Sequence, residues 1–288
     1  MDIHLLSVPY DTARRGERMG AGPDRLLESG AAVRLREHGH RVRVAEIAPP
    51  AGTFPAEIRT AFELQREVAA AVRGAVAEGA LPVVLAGNCN AAALGTLAGL
   101  RERPVGVLWF DSHGDFNTPE TTGSGFLDGM ALAMATGRCW TQLLARLPGF
   151  EPVAPANVVL IGARDLDPIE ASLLAESPVA LIRPADVDTG LAPALDALRG
   201  RVRDVYVHID LDVLDPASHG RANGLAAPDG LGVGQVASAL HAIAHHFRVR
   251  GAALTAYDPA VDADGRVCRA ALALLEAVAD ASASAAGG

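Results

Sequence analysis

The stretch VGVLWFDSHGD, residues 105 to 115, decides how the chain is read. Six apolar residues are followed by Asp111, His113 and Asp115 at alternate positions. In an extended strand, side chains at i, i+2 and i+4 share one face, so two carboxylates and an imidazole are expected to converge at the strand's carboxyl end. Each of these groups loses hydration there, and a bound cation is the simplest compensation.

A second acidic stretch repeats the pattern. DVYVHIDLDVLDP, residues 204 to 216, places Asp210 and Asp212 two apart at the end of another apolar run, with Asp215 just before Pro216. A single DxD is most often a solvated turn or a helix cap. Two such clusters at strand ends are more telling, because bridging carboxylates could hold two hard divalent ions roughly 3.5 to 4 Å apart.

Around these stretches the chain alternates apolar β-rich runs with helical Ala/Leu/Arg segments. Strands are expected at 3–10, 41–47, 82–87, 105–111, 157–163, 179–184, 204–212 and 251–258. Helices are expected near 23–38, 56–78, 90–101, 128–146, 168–175, 191–200, 233–246 and 265–282. Such alternation implies an α/β fold, a three-layer α/β/α arrangement around a parallel, mostly eight-stranded sheet. Ligands then bind beyond the carboxyl ends of the strands. With no Ser- or Pro-rich linker and no repeat, residues 1–282 are expected to form one domain, and 283–288 (ASASAAGG ends the chain) a flexible tail.

Composition narrows the function. Half of the 288 residues are hydrophobic and 20% are charged, which suits a sizeable core. A net charge of -9 argues against nucleic acid as a partner. All 25 cationic side chains are Arg, and the absence of Lys removes Schiff-base chemistry. Cys89, Cys139 and Cys268 are odd in number and far apart, which fits a reducing compartment. Neither a leader nor a membrane span is read, so a cytoplasmic protein is expected.

The residues resemble those of the ureohydrolases, the arginase and agmatinase superfamily. DSHGD is similar to that family's DAHAD metal motif, HIDLDVLDP to its SxDxDxxDP motif, and IGARDLDPIE (161–170) to its IGLRDVDPGE. NTPETTGSG resembles the loop after the first motif, and SVPYDTARRGERMGAGPDRLLESG (7–30) the family's first strand, glycine-rich loop and first helix. The resemblance implies an arginase-like fold and two manganese ions bridged by Asp111 and Asp210. Asp115 would serve the first ion, and His113 and Asp212 the second, with Asp215 supporting the ligands from behind. A hydroxide shared by the ions would attack a guanidinium carbon and release urea and an amine. Asn117, Thr122 and Ser124 would hold a substrate carboxylate, and Asp167 and Glu170 would lie near its ammonium group. The family also implies a homo-oligomer, a trimer or hexamer.

Three positions depart from the family. Its GGDH signature, whose His is a ligand, reads AGNC at 86–89, so Cys89 stands where an imidazole is expected. A thiolate there suits zinc or iron better than manganese; alternatively Cys89 is a small buried residue beside carboxylates. Asp128 replaces a His that carries a proton to the leaving amine. It would do so only with a pKa raised toward neutrality, and it is equally suited to capping the helix that starts at Gly129. Ala256 replaces a Glu that pairs with the guanidinium. Asp258, two residues on, and the Tyr257 hydroxyl are the expected substitutes, and a less basic substrate such as N-hydroxyarginine is a further possibility.

Two other readings stay open. Cys89 could attack an amidino carbon with His113 or Asp115 as base, in amidino transfer or hydrolysis without metal. The chain could also be a metal-binding member with altered catalysis. Elsewhere, His241, His245 and His246 have the spacing of a helix face without the Glu of a zinc motif, and His208 alternates with Asp210.

Overall fold

The carboxyl ends of eight parallel strands form the floor on which the site is built. The computed structural model describes residues 1–52, 56–100 and 104–286. The strands of its main sheet are β1 (Asp2–Val8), β2 (Arg41–Glu46), β3 (Leu81–Ala86), β4 (Val105–Phe110), β5 (Val158–Ile161), β6 (Ala180–Ile182), β7 (Asp204–Asp210) and β8 (Arg248–Thr255), and Tyr10–Asp11 pairs separately with Arg14–Arg15 in a small antiparallel hairpin. The main strands lie side by side in the order β2-β1-β3-β8-β7-β4-β5-β6, every neighbouring pair parallel. All eight expected strands are present, each trimmed or shifted by a few residues at its ends. The three-layer α/β expectation is met.

The helices are α1 (Gly22–Glu28), α2 (Ala31–Glu37), α3 (Glu57–Ala77), α4 (Cys89–Gly99), α5 (Ala131–Ala135), α6 (Thr141–Leu144), α7 (Pro168–Ala175), α8 (Val187–Arg199), α9 (Pro216–His219), α10 (Val233–His246) and α11 (Arg266–Ala286). Two expected helices are broken. The segment 23–38 divides at Gly30, and 128–146 becomes a 3-10 turn at Asp128–Met130 followed by two short helices. Gly137 ends the first of these with φ +76°, where its N–H bonds Met134 O at 2.9 Å and that of Arg138 bonds Ala133 O at 2.9 Å. A glycine in the left-handed region after a helix is a strong stop, and the apolar spacing alone did not reveal it. Residue 101, at the end of one expected helix, and residues 287 and 288 of the expected tail lie outside the described residues.

Strand side chains alternate between two cores. Leu108 and Phe110 of β4 and Val205, Val207 and Ile209 of β7 pack with helices α1, α2, α8, α10 and α11. Val107, Trp109 and Tyr206 face the other way, toward α3 and α4. Both faces of β3, β4 and β7 are therefore buried, which is why these strands read as continuous apolar runs. Polar residues just beyond them have only the carboxyl edge on which to emerge. Among the described residues, no helix is long and apolar enough to cross a membrane.

Candidate active site

β4 stops at Phe110, and this revises how the first motif converges. Asp111 to Asp115 is a loop, with Asp115 at φ +48°, and the strand-face alternation expected for 111, 113 and 115 does not occur. Likewise β7 ends at Asp210 and Asp212 lies in a 3-10 turn, Leu211–Val213. Chain reversal rather than strand pleat brings the side chains together. Asp210 Oδ1 accepts from Asp212 N at 2.8 Å, and Asp111 Oδ1 from His113 N at 2.7 Å. Each carboxylate thereby turns the next polar side chain, His113 or Asp212, back over its own strand end.

Two groups result whose donor atoms lie within 4.8 Å of one another: Cys89, Asp111 and Asp210, and Asp111, His113 and Asp212. Asp111 belongs to both. Asp115 lies in neither group but lines the same cleft, 5% exposed, with Oδ2 lacking any hydrogen-bond partner. An orphaned, buried carboxylate oxygen is costly unless a cation completes it.

The electrostatics say the same. Burial pushes the carboxyls of Asp111, Asp115 and Asp210 above the usual range, and neighbouring acids raise them further: Asp212 acts on Asp111 and Asp210, and Asp111 on Asp115 and Asp210. His113 moves the other way. Burial would lower its pKa, but Asp212 and Asp111, 3.3 and 3.4 Å from Nδ1, outweigh burial and hold the ring protonated. Asp212 also receives Ser112 N (3.1 Å), Ser112 Oγ (2.7 Å) and Asn223 Nδ2 (3.2 Å), which together with His113 keep it ionised despite burial. A proton on His113 here stands in for a cation. This donor set of carboxylates, one imidazole and one thiol fits divalent metal.

Cys89 begins α4 beneath the cleft, 1% exposed, and does not line it. Its thiol donates to Asp210 Oδ2 at 3.1 Å and meets Thr255 Oγ1 at 3.2 Å. Burial first, then Asp210 and Asp128, push its pKa well up. A protonated, covered thiol is poorly prepared to attack a substrate carbon, so the metal-free thiol mechanism has no support in this geometry. Behind it, His208 stacks on Trp109 with ring centroids 3.8 Å apart, bonds Tyr206 OH at 2.7 Å and is held neutral by burial, its pKa about 3. Trp109 Nε1 in turn donates to Asp111 Oδ2 at 3.0 Å.

Asp128 has no cap bond within its own turn. It accepts instead from Asn90 N (2.9 Å), Asn90 Nδ2 (3.0 Å) and Asn88 Nδ2 (2.9 Å), so it caps α4 across the cleft wall. Burial nevertheless pushes its pKa up to about 7. The folded protein thus holds this proton more tightly than the unfolded chain, whose carboxyls titrate near pH 4. The stabilisation it contributes is full below that range and is lost as the pH rises through 7. Metal-free protein should therefore gain stability over an Asp128→Asn variant as the pH falls from 8 to 5, by up to about 1.4 kcal/mol per pH unit. Urea midpoints of the two proteins across that range test it; a constant difference would refute it.

Substrate-facing expectations divide. Asn117, Thr122, Ser124, Asp167 and Glu170 all line the cleft, whose volume is about 620 Å³. Asn117 Nδ2 donates to Asp167 at 3.0 Å, and Thr122 and Ser124 shape their loop by accepting from Gly125 N and Phe126 N. Glu170, 3% exposed, is engaged with Phe116 N at 2.8 Å, and its carboxyl packs where a Cβ on Gly114 would stand. Asp258 is not in the cleft. β8 ends at Thr255, Ala256 turns with φ +63°, and Asp258 Oδ1 accepts from Ala260 N at 2.9 Å. The Tyr257 hydroxyl is directed to Asp262 at 3.0 Å, so neither expected substitute for the missing Glu reaches the site. Asp215 caps α9 through Ala217 N and Ser218 N. His241 and His245 are exposed on α10.

Sequence reading assigned no role to Asn223, Arg18 or Arg164. Asn223 Nδ2 bridges Asp212 and Ala256 O. Arg164, within the quoted IGARD motif, donates to six main-chain carbonyls: Pro228, Gly162, Val213, Asp212, Leu214 and Ala227. Membership of a quoted motif was a signal for Arg164 and for Arg18, which lies in the stretch 7–30; for Asn223 no local pattern existed.

A doubly wound sheet with clustered carboxylates, an imidazole and a thiol at its carboxyl edge defines a metal-dependent enzyme of the α/β class. The sequence pattern of the Arginase family matches residues 1–279, and the chain belongs to that family. It is accordingly a metal-dependent amidinohydrolase, cleaving C–N bonds of amidino groups. Bacillus caldovelox arginase is 28% identical over 292 residues, covering 95% of this chain and 96% of that protein. N(omega)-hydroxy-L-arginine amidinohydrolase of Streptomyces lavendulae is 34% identical over 262 residues, 89% and 91% of the two chains. The crystal structure of Bacillus cereus arginase superposes with a TM-score of 0.86 at 28% identity, covering 96% of this chain and 98% of that one.

Proposed function

We propose that the cleft hydrolyses a small guanidino amino acid, N-hydroxyarginine in preference to arginine, with two manganese ions as cofactor. Asp111, Asp115, Asp210, Asp212, His113 and Cys89 would hold the ions. Bound there, the cations would supply a nucleophile at neutral pH by lowering the pKa of a water. The net reaction adds one water across the C–N bond between the guanidino carbon and the chain nitrogen. It yields ornithine and hydroxyurea from N-hydroxyarginine, or urea from arginine.

The observation that carries the preference is Ala256, a buried methyl on the cleft wall where a guanidinium would need a carboxylate. A full guanidinium left without its bidentate partner binds poorly, whereas an N-hydroxyguanidine has lower basicity and less need of one. The likeness to the Streptomyces lavendulae amidinohydrolase supports the same substrate. Asn117, Thr122 and Ser124 offer the amide and hydroxyls to hold the amino-acid end, with Asp167 beside them for the ammonium group. Asp128, buried and poised near neutrality, would carry the proton to the departing amine. Three buried free thiols suit a cytoplasmic enzyme kept in reducing conditions, and the homo-oligomer is proposed from the family resemblance alone.

The test is product release from arginine, N-hydroxyarginine, agmatine, guanidinobutyrate and formiminoglutamate before and after chelation. Chelation should abolish turnover, manganese should restore it, and kcat/KM for N-hydroxyarginine should exceed that for arginine at least about 10-fold, the lower end of what one unpaired buried group costs. Equal turnover of the two removes the preference, and activity surviving chelation removes the metal.

A further inference from the structure

We infer that Arg18 is a specificity residue of the cleft, pairing with a carboxylate on the substrate. This rests on the functional reading above and extends it, since it selects among guanidino compounds by their far end. Seven carboxylates and a single guanidinium, that of Arg18, line the cleft among the described residues. The imidazole of His113 is already flanked by Asp111 and Asp212. Asp115, Asp210 and Asp212 would be engaged by the ions, and Asp165, Asp167 and Glu170 lie on the lining beyond them, so Arg18 is the one side chain of the lining that offers a substrate carboxylate a permanent, unscreened cation.

The backbone holds Arg18 in place for this. It has φ +49°, a left-handed conformation unusual for a long side chain, and strain of this kind is retained where the surrounding structure enforces it. The enforcement is visible. A Cβ on Gly22 would fall 2.2 Å from Tyr257 O, and one on Gly87 2.3 Å from Tyr10 O, so the loop 10–22 is clamped against the ends of β3 and β8. Of the three arginines in that loop, Arg14 pairs with Glu17 at 3.2 Å and Arg15 with Glu46 at 2.8 Å, both away from the cleft.

Among the described residues, the ion pair of Arg18 runs through Nε, 3.3 Å from Asp11 Oδ2, and the side chain is otherwise largely exposed. Asp11 is 3% exposed, and that oxygen has no hydrogen-bond partner. The buried carboxylate orients the stem while the terminal nitrogens remain available, and a guanidinium fork matches a carboxylate with two parallel bonds. Asn117, Thr122 and Ser124 line the same cleft and supply neutral donors to complement it.

The discriminating measurement is the ratio of kcat/KM for N-hydroxyarginine to that for its decarboxylated counterpart, N-hydroxyagmatine. Arg18→Gln should lower this ratio about 10- to 100-fold, the range for losing a charged hydrogen-bonded pair. The loss should fall in KM rather than kcat, and Arg18→Lys should recover part of it. In parallel, calorimetry should show ornithine binding weakened by the same factor relative to putrescine. An unchanged ratio and unchanged ornithine binding would reduce Arg18 to a partner for Asp11 and overturn the assignment. Should the wild type turn over no guanidino compound, the functional reading falls, and ornithine against putrescine binding still decides the role of Arg18.

Discussion

Replacing Asp210 by Asn is expected to abolish hydrolysis while leaving the metal-free protein as stable as the wild type or more so. Asp210 is 4% exposed and packed against other acids, with burial, Asp212 and Asp111 all pushing its carboxyl toward the protonated form. The asparagine oxygen keeps the bond from Asp212 N, and its amide faces the Cys89 sulfur that now donates to Asp210. Local hydrogen bonding therefore survives, and one mutually repelling charge is gone. Metal affinity does not survive, because a neutral amide is a weak ligand for a hard cation. Turnover should fall about 1,000-fold or more, equivalent to about 4 kcal/mol of transition-state stabilisation. Thermal melts supply the second readout. Metal at 100 times its Kd should stabilise the wild type by about 2.7 kcal/mol, or about 5–10 °C, and the variant hardly at all. A variant that keeps its metal-induced shift, or whose metal-free form melts far below the wild type, would show that Asp210 is a scaffold residue.

Arg164→Met should be the most damaging substitution away from the proposed metal ligands. The guanidinium gathers carbonyls from three separate segments, at 162, at 212–214 and at 227–228, with distances from 2.6 to 3.4 Å. Methionine fills much of the volume but donates nothing, leaving half-buried carbonyls without partners. A loss of about 3 kcal/mol or more, or about 6–12 °C in Tm, follows from one to three unsatisfied groups. Asp212 hangs from the same turn, so kcat/KM should fall with stability. Lysine should rescue little, since three donors on a flexible stem do not reproduce the planar fork. A melting temperature within about 2 °C of the wild type would mean that water replaces the guanidinium.

The depth to which the sequence could be read follows from how local each signal is. Apolar runs located all eight strands, because a strand buried on both faces must be apolar wherever its neighbours lie. The same runs carried no record of neighbours. β7 and β8 insert between β3 and β4, an order set by pairings far apart in the chain, such as Val105 with Asp204 and Val83 with Ala252. The helix at 128–146 failed for a comparable reason: its apolar spacing is helical, but Gly137 and the left-handed Trp140 reverse the chain within it.

At the site, the acidic and histidine positions that cluster were legible as motifs, yet the physical account of their convergence was wrong. Strand alternation was invoked where loop reversal, written in Asp111 to His113 N and Asp210 to Asp212 N bonds, does the turning. Asp258 was assigned to the cleft on the assumption that β8 continued; the positive φ of Ala256 ends it.

By itself, then, the sequence determined that this chain forms a parallel α/β sheet with clustered acidic residues at two strand ends, since burial and charge compensation constrain residue type directly. Only the tertiary structure decided which groups meet over them. Arg164 closing three loops, Asn223 tying Asp212 to Ala256, Asp128 capping α4 and Arg18 facing the cleft each join segments that no window of sequence contains together, and their contacts exist only after the sheet has folded.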